Sequence, residues 1–223
     1  KSFVAATVLA LVQENKLSLD APISTWLADR PWFSRLAHHD RITLRQLLNH
    51  TSGIANHVEQ DAFARDLRMR WRQPENPFTP EELISYILNL PSRFEPGEGW
   101  AYSDTGYILA GLIIETVTGH SYEQEVTRRF LNPLALTLTE PSDRRQLNGL
   151  AAGYLSAENV FGLPEKTTVS EGVMAWHPGI EWTGGGLVST PKDLVRWAKA
   201  LFEGHALSGS YLEDLLRGVP VSS

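Results

Sequence analysis

A chain of 223 residues with 42% hydrophobic and 21% charged residues has the composition of a globular protein, long enough for one large domain or two small ones. Its net charge of -6, with no basic run, leaves no electrostatic footprint for nucleic acid. With no cysteine there are no disulfides, no thiolate catalysis and no thiolate zinc site, and no segment reads as long and apolar enough to span a membrane.

Residues 1–16 carry an apolar stripe at helical spacing, Val4, Val8, Leu11 and Val12. A signal peptide is a poorer reading, because Gln13-Glu14-Asn15-Lys16 is not a cleavage site. The helix is expected to begin at or before Lys1, so the chain reads as cut within an element. Pro22 opens a short segment through Leu27, and residues 30–41 are loop. Thr43 is placed to cap a helix from Leu44 to His50 that stops near Gly53. Residues 55–77 form a charged excursion, helical around Phe63 to Trp71. Thr79-Pro80-Glu81-Glu82 combines a cap, a first-turn proline and a capping-box glutamate, and predicts a helix to about Asn89.

Residues 93–107, Arg-Phe-Glu-Pro-Gly-Glu-Gly-Trp-Ala-Tyr-Ser-Asp-Thr-Gly-Tyr, deliver Tyr102-Ser103-Asp104 from a rigid Pro/Gly turn to the start of an apolar helix. Ser103 is positioned to cap that helix, Asp104 suits its positive end, and Gly119 closes it. A loop-to-helix junction is a usual place to present a reactive side chain. Ser121-Tyr122-Glu123-Gln124 opens a further helix to about Phe130, broken at Asn132-Pro133. Residues 137–172 have little helical period, with short strands predicted at 149–156 and 167–170. Gly184-Gly185-Gly186 turns into a short strand at 187–189, and Thr190-Pro191-Lys192-Asp193 starts a helix to Glu203 with Gly204 as its stop. A last short helix covers 210–217. No repeat or linker interrupts the chain.

Four of these segments, in order, resemble the serine β-lactamase-like family of class C β-lactamases, DD-peptidases and related esterases. Residues 1–22 resemble the helix that follows the family's Ser-x-x-Lys motif. Leu47-Leu48-Asn49-His50-Thr51-Ser52-Gly53 resembles its Leu-Leu-x-His-Thr-Ser-Gly segment. Phe94-Glu95-Pro96-Gly97 with Tyr102-Ser103-Asp104-Thr105-Gly106-Tyr107 resembles its Tyr-x-Asn region, and Gly185-Gly186-Leu187-Val188-Ser189-Thr190 with Asp193-Leu194 its Gly-Gly-Leu-x-Ser-Thr segment. The match is thin at 55–77 and at 132–178.

The resemblance implies an α+β fold of the β-lactamase/transpeptidase type, with residues 1–223 as the middle of one such domain, mostly its helical region and little of its antiparallel sheet. It implies a serine hydrolase working through an acyl-enzyme on an ester, amide or D-amino-acid peptide, with Lys1 and Tyr102 catalytic and Asp104 at the substrate-binding position. The nucleophilic serine would precede Lys1 by three residues and the family's third motif would follow Ser223, so the chain alone is expected to be catalytically silent and to pair with the segments it lacks. No cofactor is implied, and a periplasmic or secreted location follows from the resemblance alone. The rival reading is a non-catalytic binding or sensor module on the same scaffold.

Asp104 departs from the family's asparagine. An asparagine side chain donates and accepts, whereas an ionised aspartate only accepts. It would repel a substrate carbonyl and, beside Lys1, would form an ion pair favouring the ammonium. That puts β-lactam recognition in doubt more than hydrolysis. The seven histidines, His38-His39, His50 and His57 among them, lack a metal-ligand spacing and read as loop or satisfied core residues. The glycine run at 184–186 lacks the Gly-Lys-Ser/Thr of a phosphate loop, and Ser52 lacks a nucleophile elbow.

Overall fold

The computed structural model describes residues 1–156, 158–159, 161–207 and 210–219. Helix α1 (Ser2–Gln13) buries Phe3 to Leu9 and Leu11. Asn15, at φ 57, turns the chain out of it, since a short polar side chain tolerates the left-handed conformation. Helices α2 (Ser24–Leu27) and α3 (Leu44–Leu48) follow, and Thr43 caps α3 in a reciprocal box with Gln46. Helix α4 (Asp61–Arg70) lies in the charged excursion. Helix α5 (Pro80–Ser85) has the expected Thr79–Glu82 box but is shorter than predicted. The Asn89 N–H is captured by the Arg35 carbonyl at 2.8 Å with Asn89 at φ 61, so residues 86–89 tighten into turns.

Helix α6 (Asp104–Thr118) is the centre of the molecule. Every residue from Thr105 to Ile114 is buried, the signature of a helix wrapped on all sides. Helices α1, α3 and α5 and the turn at Trp182–Gly184 pack against it. Two glycines permit the closest approaches. A Cβ on Gly106 would stand 3.1 Å from the Leu47 carbonyl oxygen, and one on Gly111 would stand 2.5 Å from the Thr183 side chain. The Thr183 hydroxyl, brought that near, donates to the Tyr107 carbonyl at 2.8 Å.

Helix α7 (Tyr122–Val126) begins with the Ser121–Gln124 box and widens into a π turn over Thr127–Leu131, so the predicted helix to Phe130 is only half α. Strand β1 (Glu140–Pro141) and the hairpin of β2 (Thr168–Ser170) and β3 (Val173–Met174) come next, and β4 (Leu187–Val188) returns to pair antiparallel with β1. The strand predicted at 149–156 does not form. The Gly153 N–H goes to the Thr167 hydroxyl at 2.7 Å, which stops a ladder, and Tyr154 makes only an isolated bridge to Lys166. Helix α8 (Pro191–Phe202), capped by Thr190, stacks Trp197 on Phe3 with centroids 4.0 Å apart. Helix α9 (Tyr211–Leu216) is tied to α3 by the Arg45–Asp214 ion pair at 2.7 Å. The result is helix-rich with little antiparallel sheet, as expected.

Candidate active site

The Pro/Gly loop before α6 is laid across residues 50–57 by backbone hydrogen bonds. Arg93 donates to the Gly53 carbonyl, Gly97 to Thr51 and Ala101 to His50, at 2.8, 2.8 and 3.0 Å. Gly53, at φ 73, is required there because a Cβ would fall 2.2 Å from the Phe94 carbonyl oxygen. The Thr51-Ser52-Gly53 segment is therefore a floor for the loop. Ser103 occupies the N-cap position of α6 but does not cap with its side chain, correcting the expectation: its hydroxyl donates to the Ala55 carbonyl at 3.2 Å. Asn56 takes over, accepting from the Asp104 N–H at 3.1 Å. An amide from outside the helix thus satisfies one of its orphan donors.

This fixes Asp104 at the first turn of α6, with Tyr102 on the loop before it. Lys1 arrives from the start of α1, 103 positions away in sequence. The Lys1 ammonium donates to Asp104 Oδ1 at 2.5 Å and also to the Gly184 carbonyl, while the Tyr102 hydroxyl donates to the same Asp104 oxygen at 2.9 Å. The lysine nitrogen stands 5.0 Å from the ring centroids of both Tyr102 and Tyr107. All three residues singled out from the sequence are thus in one cluster, with the Lys1 and Asp104 side chains 22% and 18% exposed and Tyr102 open to solvent.

Burial works to lower the Lys1 pKa, but its interactions with the Asp104 carboxylate and with Tyr102 outweigh it and the net displacement is upward. Burial raises the Tyr102 phenol, Lys1 opposes the rise, and Asp104 adds to it. At neutral pH the cluster therefore rests as an ammonium and a phenol sharing one carboxylate, two proton donors and one acceptor.

Several neighbours carry signals too weak to assign from sequence. His50, at φ 63, packs its ring 4.7 Å from that of Tyr102 and accepts from the Ser103 N–H at 3.3 Å. His57 is buried, with its ring nitrogen Nδ1 3.0 Å from the Thr105 hydroxyl, and burial pushes its pKa down to about 4. The Gly184 carbonyl was hidden in a run that reads only as a turn. Glu181, one residue before Trp182, has no motif around it at all. Ser2 is turned from Lys1 and accepts from the Trp197 indole at 2.9 Å.

Comparison with known proteins adds the context. A family model described as Beta-lactamase matches residues 1–219. A penicillin-binding protein of Bacillus subtilis (strain 168) is 28% identical over 232 residues, covering 100% of this chain and 48% of its own, so the chain spans about half the length of that relative. Among solved structures, a D-stereospecific amidohydrolase from Streptomyces sp. superposes with a TM-score of 0.86 at 31% identity, over 100% of this chain and 64% of that one. The D-amino acid amidase of Ochrobactrum anthropi SV3, solved with L-phenylalanine, gives 0.73 at 28% identity, over 95% and 58%.

Proposed function

This chain belongs to the β-lactamase family and has its β-lactamase/transpeptidase-like fold, and from that premise we propose that it supplies the lysine–tyrosine half of a serine hydrolase that cleaves amides, peptides or esters through an acyl-enzyme. The observation that carries the reading is the convergence of the Lys1 ammonium and the Tyr102 hydroxyl on one oxygen of Asp104, which itself lines a cavity.

On this reading a serine one helical turn before Lys1, in a longer protein, attacks the substrate carbonyl. Its proton must pass to a base, because a neutral hydroxyl is a poor nucleophile. Lys1 and Tyr102 are the candidates, and each is held protonated by Asp104 at rest. Substrate binding must therefore loosen one of these two hydrogen bonds before either group accepts a proton. Once one has, the same group can return the proton to the departing amine or alkoxide. Residues 1–223 form the middle of the domain on this reading and are silent without the serine.

Asp104 also bears on substrate choice. Its Oδ1 is occupied by two donors, and the side chain has no N–H to offer a substrate carbonyl. Esters and simple amides are the favoured substrates over β-lactams. Replacing Asp104 by Asn should lower the Lys1 pKa, seen by NMR titration of the lysine amine, and raise the rate of acylation by a fluorescent penicillin. A slower acylation by the variant would refute the donor argument.

The direct test is labelling of the whole protein with a fluorophosphonate and digestion to find the modified peptide. Labelling at the serine three residues before Lys1, lost in Lys1→Ala by roughly a thousandfold or more, is expected. Any other residue at that position would leave the rival reading, a non-catalytic binding module, to which the Asp104–Lys1 lock lends support.

A further inference from the structure

Tyr102 presents its hydroxyl to Asp104 beside Lys1, yet the residue is 43% exposed and stands on the loop before α6 rather than within the helix. Its position has to come from its neighbours. His50 makes contact with three consecutive residues there. Its carbonyl accepts from the Ala101 N–H at 3.0 Å, its ring nitrogen Nδ1 accepts from the Ser103 N–H at 3.3 Å, and its ring lies 4.7 Å from the Tyr102 ring between them. The residues on either side of Tyr102 are thus tied to one histidine. That ring also packs on Tyr107, 5.4 Å away, and on Trp100, 6.0 Å away.

Two features fit a histidine to this place. It follows the Asn49 cap of α3 at φ 63, a conformation uncommon for most side chains but in which histidine and asparagine are enriched. In addition, Nδ1 accepts only while it carries no proton, so the ring is the neutral form with its hydrogen on Nε2. A protonated ring would turn an N–H against the Ser103 N–H and set a second cation near Lys1. Burial, and then the Lys1 charge, push the His50 pKa down while Asp104 opposes them, which favours the neutral ring.

We infer that His50 is a positioning residue for Tyr102: by accepting from the Ser103 N–H it fixes the loop so that the Tyr102 hydroxyl meets Asp104 beside Lys1. The consequence for catalysis rests on the hydrolase reading, but the hold on Tyr102 stands without it. A backbone carbonyl at position 50 can take the Ala101 N–H whatever the side chain, whereas the bond to Ser103 needs a side-chain acceptor. Without that acceptor one side of Tyr102 is released, and the phenol moves away from the carboxylate and the lysine into water.

The whole protein is compared with His50→Gly and His50→Asn, two residues that tolerate a positive φ and so leave the turn unstrained. The asparagine carbonyl oxygen can stand in for Nδ1 as acceptor, and glycine offers none. The Tyr102 phenol is followed by NMR of ring-carbon-labelled tyrosine, its signal assigned by its loss in Tyr102→Phe. Its pKa, raised chiefly by burial, should fall back towards the ordinary value of about 10 in His50→Gly and stay raised in His50→Asn. Acylation by the fluorophosphonate should slow roughly a hundredfold in His50→Gly, in the rate at saturation rather than in the affinity, and His50→Asn should regain most of that loss. A Tyr102 titration that the glycine leaves unchanged, a wild-type rate in His50→Gly, or an asparagine variant no better than the glycine one would overturn the proposal. If the wild-type protein takes no label while the Tyr102 titrations follow the expected pattern, the hydrolase reading falls and the hold of His50 on Tyr102 remains.

Discussion

Helix α6 keeps Thr105 to Ile114 buried without interruption, whereas the described residues of 140–188, on the other side of the cleft, hold strands only two or three residues long and expose Tyr154 and Val169. The first wall gets its order from continuous apolar packing. The second gets it from turns, two short strand pairs and scattered hydrogen bonds, such as those between Gly153 and Thr167 and from Thr183 to Tyr107. Asp104 stands on the first wall, with Tyr102 held at its edge, and Gly184 and Glu181 on the second. On the proposed reading the first wall carries the groups that exchange protons, whose positions must be fixed to a fraction of an ångström, while the second tolerates irregular backbone.

The contrast can be broken most sharply by an alanine truncation on each side. Ile113→Ala, fully buried in α6, should cost about 2–5 kcal/mol in urea unfolding. Phe161→Ala, half-buried in the loop wall, should cost about 1 kcal/mol or less. Similar losses would mean that the loop wall is as firmly packed as the helix.

The next effect is on pH. Native His57 is held neutral by burial, with its pKa at about 4 against an ordinary 6.5. Between these values the unfolded chain binds the extra proton, so stability is full above about pH 6.5 and falls as pH drops towards about 4, by about 3 kcal/mol in all. Urea midpoints across that window test it. His57→Asn, which keeps a hydrogen-bonding side chain, should flatten the slope, and an unchanged slope in the variant would place its source elsewhere.

Smaller effects sharpen how the two walls meet. Gly111→Ala should lose about 1–3 kcal/mol to overpacking against Thr183 and Trp182, offset by up to about 1 kcal/mol of helix propensity. A net gain in the unfolding midpoint would show that the 182–184 turn yields easily. Thr79→Ala removes the cap of α5, a helix that covers α6, and should cost about 1 kcal/mol. No change there would mean that Pro80 alone holds the helix start.

The same division governed what the sequence disclosed. The capping boxes at Thr79 and Ser121, the stop at Gly119 and the apolar run of α6 are local patterns, and the structure carries them. Lys1, Tyr102 and Asp104 were singled out through resemblance to motifs and lie together. Ser103 was misjudged because Asn56, 48 positions away from Asp104, does the capping instead. The missing strand at 149–156 depended on where a threonine hydroxyl would fall. Glu181 and the Gly184 carbonyl matter only through which groups fold beside them, and no periodicity records that.

The contact from Lys1 to Gly184 closes a loop of 183 positions, and that from Trp197 to Ser2 one of 195. Contacts of such span form only after the intervening chain has been gathered in, so they come late in folding and slow it. The Lys1 contact is also lost whenever the 182–184 turn leaves its seat on α6. A molecule in that partly open state would keep nearly all of its helical signal while its lysine had lost one of two anchors, so the competence of the site would report on completed folding far more sensitively than circular dichroism does.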